Sequence, residues 1–224
     1  MREIALDTET TGLSTADGDR ITEIGCVEII DKKITNNTYH VYINPEREVS
    51  REATDISGLT FDFLKQFRTF KDEYQGFLDF ISDSRLVIHN APFDIGFLNY
   101  ELSLVGANPI DPENVVDTLV MAKAKYPGSP ATLDALCRKF SVNNSMRLKH
   151  GALIDAELLA EVYINMSVEL RQNALFANRK CSTSGEQSRR AYSIPDRVFT
   201  VPEDELAAHR ESLKKITNPI WDML

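Results

Sequence analysis

Two acids separated by one residue follow a short apolar run near the start of the chain, in the segment Ile4-Ala5-Leu6-Asp7-Thr8-Glu9. Side chains two positions apart project from the same face of a β-strand, so a strand here presents Asp7 and Glu9 together. Adjacent carboxylates repel each other unless a cation lies between them, and Mg²⁺ and Mn²⁺ prefer such hard oxygen ligands. The pair therefore indicates a divalent metal site. The simpler alternative is that an acidic chain begins a turn there.

Two more acids, Asp94 and Asp155, each lie near the start of a predicted helix and on its apolar stripe. An ionised side chain that faces the core is costly unless it is paired or binds a metal. For Asp94 the alternative is a helix N-cap, but a single shared site explains all four acids together. The apolar residues that define the stripes are Phe97, Leu98 and Leu102 in the first helix and Leu158, Leu159 and Val162 in the second.

A histidine, His150, precedes Asp155 by five positions in a polar segment of the chain. Beside a metal cluster, an imidazole is suited to accept a proton from water near neutral pH. A solvated surface histidine is the alternative. Hydrolysis by a metal-bound acid cluster with a histidine base is therefore the chemistry that these residue types suggest.

The elements that must position these residues alternate in a way that predicts an α/β domain with a mixed sheet flanked by helices. The first three strands have short connections, which predict an antiparallel meander, and the region from Asn44 to Gly58 is predicted to be irregular. Asp94 follows the carboxyl end of the fourth strand, where open α/β sheets place ligands. Beyond the opening segment, strands are predicted at Arg20–Ile30, Thr38–Ile43 and Leu86–Ile88, and helices at Lys71–Ser82, Phe93–Val105, Thr118–Tyr126, Thr132–Phe140 and Ala152–Met166.

The charge is unevenly distributed over the 224 residues: the formal total is -9, and residues 167–224 carry nine Lys/Arg against eight Asp/Glu. The acidic main body excludes a broad basic surface as the means of finding nucleic acid, because phosphate neutralisation supplies most non-specific affinity.

Cys26, Cys137 and Cys181 are far apart and predict a reduced protein without a zinc finger. Lacking a leader or an apolar run of ~20 residues, the chain is expected to be cytoplasmic and to make no membrane contact.

Three ordered motifs, Asp7-x-Glu9, Asn90–Asp94 and His150–Asp155, resemble the signature motifs of the histidine-type DEDD exonucleases. The resemblance covers residues 1–166, and the surrounding words, including Leu133–Cys137, are most similar to proofreading subunits of bacterial DNA polymerase III. It implies a ribonuclease-H-like fold and removal of nucleoside monophosphates from a DNA 3′ end. Two alternatives remain open: an exoribonuclease of the same superfamily that acts on RNA 3′ ends, and a non-catalytic module that bridges a sliding clamp and a polymerase.

The resemblance also implies roles for individual residues. Asp7, Glu9, Asp94 and Asp155 would hold two Mg²⁺ or Mn²⁺ ions about 3.5–4 Å apart. His150 would deprotonate the attacking water. Substrate contacts are implied for Asp7, Glu9, Thr10, Thr11, Gly12, Leu13, Glu52, Ser57, Asn90, Phe93 and Asp155.

Some of these substrate contacts have an expected partner. Leu13 and Phe93 would press on the end bases, and Glu52 would reach the 3′-terminal sugar. One departure from the family pattern concerns Ser57: relatives usually carry Val-His-Gly-Ile where this chain has Ile56-Ser57-Gly58-Leu59. A short hydroxyl thus replaces an imidazole near the expected substrate phosphate, which puts that contact in doubt.

Residues beyond Met166 are predicted to form a linker over 167–197, rich in Ser, Arg and Lys near its end, and a partner-binding tail over 198–224. The pentapeptide Gln172-Asn173-Ala174-Leu175-Phe176 resembles the peptide by which bacterial proteins bind the sliding clamp, with a frayed helix end as the alternative.

A further helix is predicted to begin at Pro202, because proline and three acids suit a helix start. Leu206 and Leu213 lie on its narrow apolar stripe, and Trp221 adds apolar surface near the terminus. The segment is too small to fold alone, and the resemblance implies that it binds the polymerase α subunit, with a third small core subunit as a further candidate partner. Tethering of this kind supplies local concentration without a basic surface.

Overall fold

The computed structural model describes residues 1–145, 149–180 and 202–214, with the backbone alone at residues 169–180, 210 and 213. The chain divides into two compact units, Met1–Lys180 and Cys181–Leu224. In the described part of the first unit, five strands form one mixed sheet in the order β3-β2-β1-β4-β5. These strands are β1 (Arg2–Thr10), β2 (Ile21–Ile30), β3 (Lys33–Tyr42), β4 (Arg85–Ile88) and β5 (Val115–Asp117).

The first three strands form the predicted antiparallel meander, whereas β4 runs parallel to β1 and β5 parallel to β4. The predicted turn between β2 and β3 is a tight hairpin in which Asp31 and Lys32 both have positive φ, as a two-residue hairpin turn of type I′ requires. β3 begins at Lys33 rather than at the predicted Thr38, because an edge strand pairs through its backbone even where its side chains show no apolar alternation. The three-residue β5 was not predicted, because it is too short for a pattern.

The helices are α1 (Arg51–Ser57), α2 (Phe61–Leu64), α3 (Phe70–Ile81), α4 (Ala91–Leu104), α5 (Thr118–Lys125), α6 (Leu133–Phe140), α7 (Ala152–Lys180) and α8 (Glu203–Leu213). The five helices predicted in the main body are confirmed as α3 to α7. The expectation of irregular structure as far as Gly58 is wrong, because its second half is α1. Ser50 caps α1 by accepting a hydrogen bond from the N–H of Ala53, and Gly58 ends it with a left-handed φ of 80°.

The two faces of the sheet are covered by different helices, and β1 alternates between them. Ile4 and Leu6 point into the core formed with α3 and α4, whereas Ala5 points into the core formed with α6 and α7. By the same alternation, Asp7 and Glu9 lie on the α7 face and Thr8 lies on the α4 face.

A glycine sets how closely α7 approaches the sheet. Gly25 of β2 lies directly opposite Asp7 in the antiparallel pair, and a Cβ at this position would overlap the backbone of Ala152 and Leu153. The first turn of α7 therefore lies against the middle of β2 only because residue 25 lacks a side chain. This contact brings Asp155 to the carboxyl end of β1.

α7 continues past Met166 to Lys180, so the first part of the predicted linker is helical. Gln172, Leu175 and Phe176 lie in this helix, but their side chains are outside the described residues. The tail helix predicted to begin at Pro202 is confirmed as α8, with Leu206 partly exposed on it. The side chain of Leu213, and Trp221 entirely, lie outside the described residues.

Among the helices of the described residues, none is long and apolar enough to cross a membrane.

Candidate active site

Three of the predicted site residues, Glu9, His150 and Asp155, meet at the carboxyl end of β1. A ligand atom from each lies within 4.8 Å of those of the other two, an arrangement that could hold a metal ion. Nδ1 of His150 is 3.2 Å from Oδ2 of Asp155. Asp155 is only 3% exposed, whereas the side chain of His150 is 47% exposed. A buried carboxylate and a solvent-accessible imidazole thus share one cluster.

The start of α7 and the loop before it place this cluster. The N–H of Asp155 donates to the carbonyl of Gly151 at 2.9 Å, and Asp155 lies in the first turn of α7. The positive end of the helix dipole favours a carboxylate in that position. The N–H of His150 donates to the carbonyl of Ile56 at 3.2 Å. The loop before α7 is therefore tied to the last turn of α1, which holds His150 beside Asp155.

Asp7 lies two residues before Glu9 on the same face of β1. Its strand partner is Gly25, on which the first turn of α7 packs. Asp7 is therefore on the side of β1 that faces the turn carrying Asp155, although the three-residue cluster itself does not include it.

The fourth predicted acid, Asp94, reaches the same strand from the opposite face of the sheet. Oδ1 of Asp94 accepts two hydrogen bonds from Thr8, one from the backbone N–H at 3.0 Å and one from the hydroxyl at 2.7 Å. Burial and, to a smaller extent, the charge of Asp117 raise the pKa of Asp94 to about 7, against the lowering effect of the two bonds from Thr8. A carboxyl group whose ionised form is this costly gains most from a nearby cation.

The turn before Asp94 is fixed by its own bonds to β5. Asn90 has a φ of 67°, and its N–H donates to Oδ1 of Asp117 at 3.2 Å. The same oxygen of Asp117 caps α5 by accepting from the N–H of Leu119. Sequence reasoning missed both Thr8 and Asp117. Alternation along β1 was the available signal for Thr8, because it directs this residue to the face where α4 packs.

The loop after β1, residues 10–14, is organised around the carboxylate of Asp19. The hydroxyl of Thr11 donates to Oδ1 of Asp19 at 2.9 Å, and the hydroxyl of Thr10 donates to the carbonyl of Gly12 at 2.6 Å. A Cβ at Gly12 would overlap Asp19. The side chains of Thr10 and Thr11 are thus used within the loop. The side chain of Leu13 is 84% exposed beside them.

Three other predicted substrate residues lie near the starts of α1 and α4. Glu52 is exposed on the first turn of α1, which is joined to the loop by a hydrogen bond from the N–H of Ser50 to the carbonyl of Thr11 at 3.0 Å. Phe93 is half-buried, with its ring 5.0 Å from that of Phe97. Asn90 is exposed at the start of α4.

The hydroxyl of Ser57 serves the end of α1. It donates to the carbonyl of Ala53 at 2.9 Å and accepts from the N–H of Leu59 at 3.2 Å. The doubt that the sequence raised about a phosphate contact from Ser57 therefore has a structural basis, because both bonds direct the hydroxyl toward its own helix.

A pocket of about 310 Å³ lies beside His150, and Ser57 and Lys149 are among the residues that line it. Its lining includes Glu23, a buried acid that sequence reasoning missed and that lies opposite Glu9 in the β1–β2 pair. Oε1 of Glu23 is 2.7 Å from Nε2 of His40. The carboxylate of Glu23 is therefore already paired with His40, unlike a carboxylate whose only partner is a metal ion.

The donor set fits a divalent cation. Carboxylates from β1 and α7 converge with one imidazole, and hard oxygen donors of this kind favour Mg²⁺ and Mn²⁺.

The chain matches the family model described as "Exonuclease" (RNase_T) over residues 4–163. Among its relatives, the protein named DNA polymerase III subunit epsilon from Rickettsia felis is 44% identical over 222 residues, which cover 96% of this chain and 97% of the relative. The protein of the same name from Rickettsia typhi is 52% identical over 170 residues, covering 75% of this chain and 74% of the relative. The one from Escherichia coli K12 is 39% identical over 240 residues, with 98% and 97% covered.

Two solved structures are similar to this fold. Exonuclease X in complex with 5′ overhanging duplex DNA has a TM-score of 0.56 and 27% identity, covering 74% of this chain and 89% of that one. A 3′-exonuclease that recognises the histone mRNA stem-loop has a TM-score of 0.64 and 18% identity, covering 75% and 82%. At that identity the second structure shows the fold alone. The mixed sheet flanked by helices, of ribonuclease-H type, is therefore confirmed.

Proposed function

Because the chain belongs to the exonuclease (RNase_T) family, and within it to the DNA polymerase III epsilon subunits, we propose that it is the 3′–5′ proofreading exonuclease of a DNA polymerase III. The observation that carries this proposal is the convergence of Glu9, His150 and Asp155 at the end of β1. A non-catalytic bridging module has no need of such a cluster.

Asp7, Glu9, Asp94 and Asp155 are the residues that would hold two Mg²⁺ or Mn²⁺ ions. Bound there, such ions would stabilise the negative charge that develops on the attacking and leaving oxygens of the phosphodiester. Thr8 fixes the carboxyl group of Asp94, and the helix dipole of α7 favours the ionised form of Asp155.

His150 is the general base of this proposal. Its Nδ1 lies beside the carboxylate of Asp155, which favours the tautomer protonated at Nδ1 and leaves Nε2 to accept a proton. Nε2 takes a proton from water as the water oxygen attacks the scissile phosphorus. The bond from phosphorus to the 3′ oxygen of the preceding nucleotide breaks, that oxygen is protonated, and a nucleoside 5′-monophosphate is released.

The terminal nucleotide binds at the loop formed by residues 10–14. The hydroxyls of Thr10 and Thr11 already donate hydrogen bonds within the protein. This loop, including Gly12, therefore offers its backbone to the nucleotide. Leu13 is the exposed apolar side chain that presses on the end base.

Further contacts complete the nucleotide site. Glu52 reaches the 3′-terminal sugar, and Asn90 and Phe93 approach from the start of α4. Asp7, Glu9 and Asp155 contact the substrate where the phosphodiester meets the metal site. Ser57 lines the pocket beside His150.

DNA rather than RNA is the proposed substrate, because the relatives that match nearly the whole chain are named as DNA polymerase subunits. As a member of that assembly, the chain would bind the polymerase α subunit through residues 198–224, including Leu206, Leu213 and Trp221. It would bind the sliding clamp through Gln172, Leu175 and Phe176. A third small core subunit is a further candidate partner, and a cytoplasmic location follows for a replication protein of this kind.

The test is degradation of 5′-labelled DNA and RNA oligomers of the same sequence by the purified protein, with Mg²⁺, with Mn²⁺ and with chelator. We expect metal-dependent shortening from the 3′ end, faster on DNA, with Asp155→Ala and His150→Gln nearly inactive. Faster turnover of RNA would favour the exoribonuclease alternative. Undiminished activity in both variants would show that the assigned site is wrong.

A further inference from the structure

Lys149 lies across the end of α1, next to the pocket beside His150. Gly58 ends this helix with a φ of 80°, and a Cβ there would lie 2.8 Å from Cδ and 3.0 Å from Nζ of Lys149. The aliphatic stem of Lys149 therefore occupies the space that the missing side chain leaves. Because the N–H of His150 is bonded to the carbonyl of Ile56, the backbone on both sides of this contact is held together.

The ammonium group of Lys149 has no ion-pair partner among the residues that the structure describes. Glu23 is an acid that lines the same pocket, but its Oε1 already lies 2.7 Å from Nε2 of His40. Ser57 directs its hydroxyl to the carbonyl of Ala53. Lys149 is therefore a lysine on this wall whose ammonium remains available to an anion.

Lys149 and His150 are adjacent in the chain and line the same pocket, and this shared pocket indicates which anion the ammonium meets. In the proposed reaction the base stands on the side from which water attacks, opposite the leaving 3′ oxygen and hence opposite the rest of the strand. A cation beside the base on that side faces the non-bridging oxygens of the scissile phosphate. Phosphates further along the strand lie on the other side of the phosphorus.

We infer that Lys149 binds a non-bridging oxygen of the scissile phosphate, the group that becomes the 5′-phosphate of the released nucleotide. This inference rests on the proposed function and adds a binding residue to it. A charge-assisted hydrogen bond from an ammonium offsets phosphate charge beside an acidic cluster on a protein whose net charge is -9.

The experiment compares Lys149→Gln and Lys149→Arg with the unaltered protein on a DNA oligomer and on the p-nitrophenyl ester of thymidine 5′-monophosphate. This ester contains a scissile phosphate and no other. Thymidine 5′-monophosphate binding in the presence of Mg²⁺ is measured by calorimetry as a readout independent of turnover. Lys33→Gln is the matched control, because Lys33 is an exposed lysine in the hairpin at the opposite end of the sheet.

We expect Lys149→Gln to lower kcat/KM on both substrates and to weaken monophosphate binding, each by about tenfold. Lys149→Arg and Lys33→Gln are expected to stay near the unaltered protein. A thermal melt accompanies each variant, and Lys149→Met, which keeps the stem, replaces Lys149→Gln if the latter unfolds early.

Three results would overturn the inference: unchanged kinetics and binding in Lys149→Gln, a defect on the oligomer alone, or an equal defect in Lys149→Arg. The second would place the ammonium at another phosphate, and the third would assign the effect to packing. If the unaltered protein hydrolyses neither substrate, the proposed function fails instead, and monophosphate binding still tests Lys149.

Discussion

Thr8 holds Asp94 with two hydrogen bonds, although it points to the opposite face of β1 from Asp7 and Glu9. The residue between two proposed metal ligands thus fixes a third one that arrives from α4. Through this contact the end of β1 carries Asp7 and Glu9 on one face and binds Asp94 on the other.

Replacing Thr8 by Val removes the hydroxyl bond to Asp94 and keeps the backbone bond. Because that hydroxyl lowers the pKa of Asp94, its loss raises the pKa further. We expect about a tenfold fall in kcat/KM and an acid limb of the pH–rate profile moved to higher pH. Thr8→Ser keeps the hydroxyl and should behave nearly as the unaltered protein. An unmoved pH profile in Thr8→Val would contradict this account.

Asp94→Asn is expected to stabilise the metal-free protein while abolishing activity. The pKa of Asp94 is raised from 3.8 to about 7 on folding, so its ionisation costs folding free energy above pH 7. That cost falls as the pH drops below 7 and is nearly gone by pH 4, close to the ordinary pKa of 3.8, where the carboxyl group begins to be protonated in the unfolded state as well. In chelator at pH 8 the variant should be more stable by up to about 4 kcal/mol, and the two proteins should converge near pH 4. Denaturant unfolding across this pH range measures the difference, and a gap that does not depend on pH would refute it.

Adding Mg²⁺ provides the companion measurement on the same pair. A cation that binds the folded state raises stability by mass action. The unaltered protein should gain stability with Mg²⁺ at pH 8, and Asp94→Asn should gain less. Equal gains would mean that Asp94 is not a ligand.

Gly25→Ala is expected to displace the first turn of α7, because the new Cβ would overlap the backbone of Ala152 and Leu153. The predicted cost is about 1–3 kcal/mol of unfolding free energy. Activity should fall by about a hundredfold, since a displacement of about 1 Å at a site of this kind is enough for such a loss. Thermal melts and oligomer degradation measure both.

Gly96→Ala is the matched control for this substitution. Gly96 lies in α4, two residues after Asp94, and a Cβ there would meet nothing within 4 Å among the described residues. Alanine should stabilise the helix by about 0.5–1 kcal/mol and leave activity unchanged. If Gly25→Ala behaves like Gly96→Ala, close packing of α7 on β2 does not position the site.

Truncation after Arg190 tests the proposed polymerase contact. The nuclease unit ends at Lys180, so the shortened protein should keep its activity on free oligomers. Co-purification with the polymerase α subunit should be lost. Retained binding would show that the tail is not the contact.

Alanine substitution of Gln172, Leu175 and Phe176 together tests the proposed clamp contact. Binding to the sliding clamp, measured by surface plasmon resonance, should fall by at least about tenfold while hydrolysis of free oligomers stays unchanged. Clamp affinity that survives the triple substitution would mean that the pentapeptide match arose by chance.

The sequence alone determined the class of fold, and it predicted the types and order of the proposed catalytic groups. Carboxylates on apolar stripes are costly without a partner, so Asp94 and Asp155 could be singled out before any contact was known. Strand alternation placed Asp7 and Glu9 on one face, because that period depends on local backbone geometry alone.

The tertiary structure decided which of these groups meet and what surrounds them. Glu9 and Asp155 are brought together by the packing of α7 against Gly25, a contact between segments far apart in the chain that no local pattern encodes. The orientation of the Ser57 hydroxyl and the packing of the Lys149 stem against Gly58 depend on where α1 ends and on its contact with the loop before α7. Local sequence fixes backbone preference and the direction of side chains, whereas distances between remote residues follow only from how the whole chain packs.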